Sequence, residues 1–466
     1  MDLNLNDSAD SAYPHMGEKK PPLSDSAALA EAMRCLYCFD APCIKSCPTG
    51  IDVPAFIKKI STGNIVGAAK TILSSNILGA SCARVCPTEV LCEGACVLGT
   101  DYEPIAIGKL QRHATDYVMQ RRIPVLHPPA VPTGYRIAVI GGGPAGLGCA
   151  ANLALLGHQV TIFEKNPLAG GLNTYGIAYY KMKPQVSLEE VELVKSLGVE
   201  IRTGISVGQD ISPQDIFATH AAVFVGIGLG SGKKLGIPGE EGAGVRDALD
   251  FIRDIHEFPL NQVDVGRRVL VLGGGNTAID AAVQAKRLGA EFATVAYRRS
   301  EEEMSAYRFE IAAAKGDGCH FLFHAMPREI LREADGAVCG VSFLDPQKNT
   351  DWIEPCDQLL LAIGQPKQTT LINQLFPGIA IDEAGRVLVD PSTGETSIPK
   401  VFAGGDCVNG GKEVVNAVGE GTKAARGIHQ MLTGVRMEFS RQSSRVGISG
   451  HPSGAGILNP IRVKES

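Results

Sequence analysis

The chain has 466 residues, 44% of them hydrophobic and 20% charged, with a net charge of −6. That length leaves room for about three domains, and the acidic balance excludes a protein that tracks a phosphate backbone, so no nucleic-acid partner is expected. No apolar run approaches the roughly 20 residues that span a bilayer, and the N-terminus lacks the basic, apolar and small-residue order of a signal peptide; the expectation is a cytoplasmic protein with no membrane segment.

Residues 1–24 are polar, contain Pro21-Pro22, and read as a flexible arm. Helical spacing starts at Ser26 and leads into a region where eight of the 13 cysteines lie between Cys35 and Cys96. The first row is Cys35-x2-Cys38-x4-Cys43-x3-Cys47-Pro48, and the second is Cys82-x3-Cys86-Pro87-x4-Cys92-x3-Cys96. Between the rows, residues 53–60 and 65–73 carry apolar side chains at helical spacing, and a further helix is predicted over 107–119. Residues 25–132 thus read as a small α-helical domain wrapped on metal clusters, ending in a proline-rich linker.

Iron-sulfur clusters need soft thiolates converging on a small inorganic core, which cysteines two to four residues apart can supply. The first row is close to the two-cluster ferredoxin run, in which the cysteine before proline serves the other cluster. By that logic Cys35, Cys38 and Cys43 begin one cluster, Cys47 reaches to a second, and each quartet borrows from the other row. Structural zinc is a competing reading, since two sets of four thiolates are available. Disulfides would require an oxidising compartment. The other cysteines, Cys149, Cys319, Cys339, Cys356 and Cys407, have no spacing and read as packing residues.

At Arg136 the pattern changes to a buried strand (136–140), followed by Gly141-x-Gly143-x-x-Gly146, a helix over 147–156 and a second strand ending at Glu164. Strand, glycine turn, helix and an acid some twenty positions on form a dinucleotide-binding fingerprint. Gly141, Gly143, Ala145 and Gly146 are assigned to the pyrophosphate turn, Glu164 to a ribose, and Gly171 and Leu172 to the same FAD site.

A second copy follows: strand 268–272, Gly273-x-Gly275-Asn276-Thr277-Ala278, helix 279–288 and strand 292–297. This strand ends in Arg298-Arg299. A carboxylate there would repel a 2'-phosphate, whereas arginine clasps one, so the second site reads as NADPH-preferring, with NADH as the alternative if the arginines pair with residues 301–303. A β-rich stretch leads to the strand 358–364, and 401–406 closes on Gly405-Asp406 before a helix predicted near residue 413. Asp406 suits the ribityl chain of a flavin.

The predicted fold is α/β: an N-terminal α-helical iron-sulfur domain, then two Rossmann-like domains, the second inserted in the first. The boundaries are 25–132 for the clusters, 133–240 with 362–436 for FAD, and 241–361 for NAD(P)H, leaving 437–466 as a flexible tail. Two nucleotide folds in one chain imply hydride passing from a nicotinamide to a flavin and single electrons leaving through clusters. No catalytic acid or base is assigned, because that transfer needs none.

These residues resemble a known family. The cysteine rows, the two glycine turns and Ala403-Gly-Gly-Asp406 look like the electron-input half of dihydropyrimidine dehydrogenase, which bacteria encode as a separate subunit. The small subunit of glutamate synthase is similar, with an adrenodoxin reductase-like fold and an added cluster domain. The resemblance covers roughly residues 30–431. Cys38-Phe-Asp-Ala-Pro-Cys43, Asn76-Ile-Leu-Gly-Ala-Ser-Cys82, Val85-Cys-Pro-Thr88 and Ile107-Gly-Lys-Leu-Gln-Arg112 look like the dihydropyrimidine type, since glutamate synthases usually show glutamate where Gln111 stands. The resemblance implies one [4Fe-4S] cluster on Cys35, Cys38, Cys43 and Cys96, and a second on Cys47, Cys86, Cys92 and the amide oxygen of Gln111, with Cys82 a bystander. It also implies an FMN-containing catalytic partner in a hetero-oligomer that reduces uracil or thymine. By contrast, Tyr297-Arg-Arg-Ser-Glu-Glu-Glu-Met304 looks more like the glutamate synthase subunit, with Arg298, Arg299 and Arg308 near a 2'-phosphate. The alternatives are therefore a glutamate synthase small subunit or a generic electron-input module, and, from a different class, a non-enzymatic zinc-stabilised scaffold.

Overall fold

The computed structural model describes residues 13–437 and 463–464. The chain first forms six helices: α1 (Asp25–Met33), α2 (Pro42–Lys45), α3 (Val53–Ser61), α4 (Ile65–Ser75), α5 (Gly79–Val85) and α6 (Ile107–Gln120). Three have a side-chain cap: Ser24 accepts from the Ala27 N–H, Asp52 from Ala55 and Asn64 from Gly67. Each cap satisfies an amide that the first turn would leave unpaired. Phe56, Ile57, Ile60, Ala68, Ala69, Ile72 and Leu110 then form one buried core across α3, α4 and α6.

The chain continues through β1 (Arg136–Ile140), α7 (Pro144–Leu155), β2 (Gln159–Glu164), α8 (Leu172–Tyr175), α9 (Pro184–Ser196), β3 (Glu200–Thr203), α10 (Pro213–Thr219) and β4 (Ala222–Val225). It then enters β5 (Val245–Asp247), α11 (Ala248–Glu257), β6 (Arg268–Leu272), α12 (Asn276–Arg287), β7 (Phe292–Ala296), α13 (Arg308–Gly316) and β8 (His320–Leu322). The strands β9 (Met326–Arg332), β10 (Val338–Asp345) and β11 (Thr350–Pro355) form an antiparallel meander before β12 (Gln358–Leu361). Last come α14 (Thr369–Leu375), β13 (Val401–Ala403), α15 (Asp406–Asn409), α16 (Val414–Thr433) and the short pair β14 (Arg436–Met437) and β15 (Val463–Lys464).

Two parallel five-stranded sheets result, ordered β13-β4-β1-β2-β3 and β5-β12-β6-β7-β8. In each, the strand that feeds the glycine turn, β1 or β6, is central. Helices cover such sheets on both faces, which is why β1 and β6 are almost continuously buried.

The chain divides into two compact units. Among the described residues, one holds 20–173, 186–228 and 367–437, so the cysteine-bearing helices and the first nucleotide fold belong together; the other holds 13–19, 174–185 and 229–366. The second unit is therefore wider than the expected 241–361. Residues 229–240 join it because Gly230 N–H donates to the Pro366 carbonyl at 2.9 Å and Ile330 N–H to Pro238 at 2.9 Å. Tyr180 joins it because the side chain is buried in that core and its hydroxyl donates to Asp280 at 2.8 Å.

The expected flexible arm is corrected in its described part. Met16 is fully buried in the second unit's core, Lys19 N–H donates to the Tyr180 carbonyl at 2.8 Å, and Arg287 holds the His15 carbonyl at 2.8 Å. The flexible tail assigned to 437–466 lies outside the described residues, apart from Met437 and the strand β15. No single helix among the described residues is long and apolar enough to cross a membrane.

Candidate functional site

The eight clustered cysteines separate into two groups by proximity. Cys35, Cys38, Cys43 and Cys96 line one pocket, walled by the apolar side chains of Val53, Ile57 and Ile107. Burial, followed by the neighbouring Cys35 and Cys96 sulfurs, pushes the Cys43 thiol up to about 12. Burial, then the Cys38 and Cys96 sulfurs, raise the Cys35 thiol as well. Cys47, Cys86 and Cys92 form the second group: contact with Cys82, then burial, raises the Cys86 thiol, with Cys47 and Cys92 contributing. Burial likewise raises Cys92, with Glu93 and Cys47 adding to it.

Cys96 thus joins the first row and Cys47 the second, a partition that spacing suggested only in part. Cys82 lies in the second group beside Cys86 and is almost completely buried on α5. Among the described residues no three His, Cys, Asp or Glu side chains converge as a single ion would require.

Gln111 is the one expected ligand that is not a cysteine. It faces inward from α6, is 7% exposed, and its Nε2 donates to the Gly79 carbonyl at 2.7 Å. That bond engages the amide nitrogen, so a ligand role would fall to the oxygen. The loop after Cys47 also abuts the first nucleotide fold: a Cβ on Gly419 of α16 would lie 3.1 Å from the Pro48 carbonyl oxygen.

The first glycine turn sits between β1 and α7. Gly141 has φ +100, and a Cβ there would lie 2.4 Å from the Gly226 carbonyl oxygen, so the turn closes only without a side chain. Pro144 begins α7 with Gly143 as its N-cap, bringing Ala145 and Gly146 inside the helix. Glu164, at the end of β2, is buried; its carboxylate accepts from Gly142 N–H at 2.7 Å and Asn166 N–H at 2.8 Å. It braces the turn, with lone pairs remaining for a ribose. Gly170 N–H donates to the Gly142 carbonyl at 2.7 Å, which lays Gly171 and Leu172 against the same turn. Asp406 begins α15 after Gly405, and burial raises its carboxyl against the pull of Lys412 N–H and Lys367.

The second turn repeats the pattern. Gly273 packs against the Ala362 carbonyl, Gly275 caps α12, Asn276 accepts from Tyr307 N–H at 3.0 Å, and Thr277 and Ala278 lie in the first turn of the helix. Arg298, Arg299 and Arg308 are all exposed. Arg299 approaches Glu303 at 3.9 Å, with both side chains more than half exposed, too loose a pair to commit the guanidinium.

The comparisons with known proteins follow this geometry. Residues 13–123 match the family described as dihydropyrimidine dehydrogenase domain II, 4Fe-4S cluster, and residues 135–421 match pyridine nucleotide-disulphide oxidoreductase. The chain belongs to the pyridine nucleotide-disulphide oxidoreductase family. Within it, the chain is 34% identical over 420 residues to the NAD-dependent dihydropyrimidine dehydrogenase subunit PreT of Escherichia coli (strain K12), covering 90% of this chain and 98% of that one. It is 33% identical over 440 residues to the glutamate synthase [NADPH] small chain of the same organism, covering 88% and 93%. Thioredoxin reductase of T. acidophilum shares the fold, with a TM-score of 0.53 and 22% identity over 64% of this chain and 98% of that one. As a member of this oxidoreductase family, the protein is an NAD(P)H-dependent oxidoreductase with FAD and an iron-sulfur cluster, and the non-enzymatic zinc scaffold is set aside.

Sequence reasoning missed three residues that the structure joins in a buried hydrogen-bonded chain: Ser81, Asn173 and Glu190. Glu190 had a readable signal. It falls with Ser187, Val191 and Val194 on the buried stripe of α9, where a carboxylate at helical spacing needs internal partners.

Proposed function

We propose that this oxidoreductase is the electron-input subunit of a dihydropyrimidine dehydrogenase, oxidising NAD(P)H and passing electrons to an FMN-containing catalytic chain that reduces uracil or thymine. The observation that carries the reading is Gln111: a buried amide on α6 whose nitrogen donates to the Gly79 carbonyl at the start of the helix that leads to Cys86, at the position where the resemblance to the dihydropyrimidine type implies a neutral oxygen ligand. The similarity to PreT over nearly all of its length supports it.

The chain's own residues bind and orient. The Gly141–Gly146 turn and the N-terminus of α7 give a dinucleotide pyrophosphate backbone N–H groups and a favourable dipole. Gly273, Gly275 and the start of α12 do the same for the nicotinamide nucleotide, with Arg298, Arg299 and Arg308 available to a 2'-phosphate. Cys35, Cys38, Cys43 and Cys96 hold one [4Fe-4S] cluster, and Cys47, Cys86, Cys92 and Gln111 a second. FAD, when bound, supplies the exchange between a two-electron hydride and the single electrons that clusters accept.

A second reading, the small subunit of a glutamate synthase, is favoured by the exposed Arg298-Arg299 pair and the 33% identity to that chain. The test is reconstitution under anaerobic conditions with an FMN-containing dihydropyrimidine dehydrogenase chain and, separately, with a large glutamate synthase chain. NAD(P)H-driven reduction of uracil with the first partner is expected; glutamate formation with the second alone would overturn the proposal.

A further inference from the structure

Three elements of the first nucleotide fold meet at Ala145, which follows Gly143 and Pro144 at the start of α7. α16 crosses α7 so closely that a Cβ on Gly421 would lie 2.1 Å from the Ala145 carbonyl oxygen. The loop between β13 and α15 arrives from another side: a Cβ on Gly405 would lie 2.8 Å from the Ala145 Cβ. Gly405 has φ +77, in the left-handed region that favours glycine. The chain is therefore pressed against the dinucleotide turn one residue before Asp406. This contact, and not spacing alone, puts the aspartate beside the pyrophosphate end of a dinucleotide site, which is where the ribityl chain of a flavin begins.

Two carboxylates flank this loop and are used differently. Asp406 is half-buried; its Oδ1 accepts from Lys412 N–H at 3.3 Å, and among the described residues no group donates to its Oδ2. Glu420, on α16, has both oxygens engaged. Its Oε2 accepts from Gly405 N–H at 2.7 Å, and each oxygen lies 3.1 Å from Nδ2 of Asn409. Gly405 precedes α15 and Asn409 ends it, so one carboxylate grips both ends of the short helix whose first residue is Asp406. The Gly405 carbonyl accepts from the Val408 and Asn409 N–H groups at 2.8 and 3.0 Å. Both peptide planes at the glycine are thus held, one by the helix and the other by Glu420.

We propose that Glu420 is a positioning residue for FAD: by clamping Gly405 and Asn409 it aims the Asp406 carboxylate at the ribityl hydroxyls. The inference rests on the FAD reading of the first nucleotide fold. Asp406 meets the ligand, and Glu420 acts one residue removed. Glycine is the residue freest to swivel, so without an outside hold the direction of Asp406 would be set only loosely. Burial raises the Glu420 carboxyl, opposed by the hydrogen bonds from Asn409 and Gly405 and then by the charges of Lys423 and Lys412. An ionised acceptor forms shorter and stronger hydrogen bonds than a neutral one, which suits it to fix a mobile glycine.

The test is the rate at which the purified full-length holoprotein loses FAD on dilution, followed by the rise in flavin fluorescence, for wild type, Glu420→Ala, Asp406→Ala and the double variant. Each single change is expected to speed FAD loss, Glu420→Ala by roughly tenfold, the worth of one charge-assisted hydrogen bond. The double variant should match Asp406→Ala alone, because Glu420 then has no carboxylate to aim. A residue that merely holds the fold together would speed the loss in both backgrounds. If Glu420→Ala does not fold, Asn409→Ala releases one end of α15 and should give a smaller acceleration that also vanishes without Asp406. Effects that add in the double variant overturn the proposal while leaving the FAD assignment standing. Unchanged FAD loss in Asp406→Ala overturns the ribityl role and the proposal with it, and a purified chain without flavin absorbance overturns the FAD reading as well.

Discussion

Gln111 Nε2 donates to the Gly79 carbonyl at 2.7 Å, joining α6 to the first residue of the helix that ends one position before Cys86. This bond engages the amide nitrogen, so the ligand role proposed for Gln111 falls to its oxygen. Gln111→Ala is therefore expected to weaken retention of one cluster by at least about tenfold, on the scale seen when metal-orienting groups are removed. Flavin bleaching by NAD(P)H should be intact. Cys82→Ser should leave iron content unchanged, whereas Cys86→Ser should lower it. Iron analysis and EPR of the reduced variants check all three, and loss of a cluster in Cys82→Ser would mean that Cys82, not Gln111, is the fourth ligand.

Arg298 and Arg299 follow β7 with exposed side chains and only the loose Glu303 contact. If they receive a 2'-phosphate, replacing both by alanine should raise the KM for NADPH by roughly 10–100-fold, the worth of one or two charge-assisted hydrogen bonds. The KM for NADH should barely move. Stopped-flow flavin reduction with each nucleotide measures this, and an equal effect on both would assign the arginines to the solvated strand end instead.

His158 and His429 form a buried pair at 2.8 Å, with Thr133 Oγ1 2.7 Å from the other His158 ring nitrogen. Burial, then the neighbouring His429, lowers His158 to about 4, and burial also lowers His429. Both folded values lie below that of an unfolded imidazole, so the neutral rings stabilise the fold above about pH 6.5. That contribution is lost as pH falls from about 6.5 towards about 4. The melting temperature should drop by a few degrees over this range, and His158→Gln should flatten the acid limb. A calorimetric pH series reads the difference; an identical acid limb in the variant would rule the pair out as its source.

Much of the fold was legible in the sequence. The strands read at 136–140 and 268–272 are β1 and β6 residue for residue, because a central parallel strand must be apolar on both faces and each is cut off by a glycine turn. The helices after them begin earlier than their apolar patterns, at Pro144 and Asn276, since a first helical turn is defined by its cap and not by burial. The cysteine rows announced an iron-sulfur domain, and Glu164 stands at the end of β2 as read, whereas β13 stops at Ala403 and Asp406 begins α15.

What the sequence by itself determined is the set of local devices: glycine turns between strand and helix, cysteines spaced for convergence, and an arginine pair where an acid would otherwise stand. Tertiary structure alone decided the pairings across distance. Residues 13–19 and 174–185 belong with the second nucleotide fold because Met16 and Tyr180 are buried in its core. Glu190 meets Ser81 across 109 positions, and Ser81 meets Asn173 across 92. Local spacing encodes backbone conformation, but the partner of a buried polar group is set by which elements pack together, and no periodicity records that.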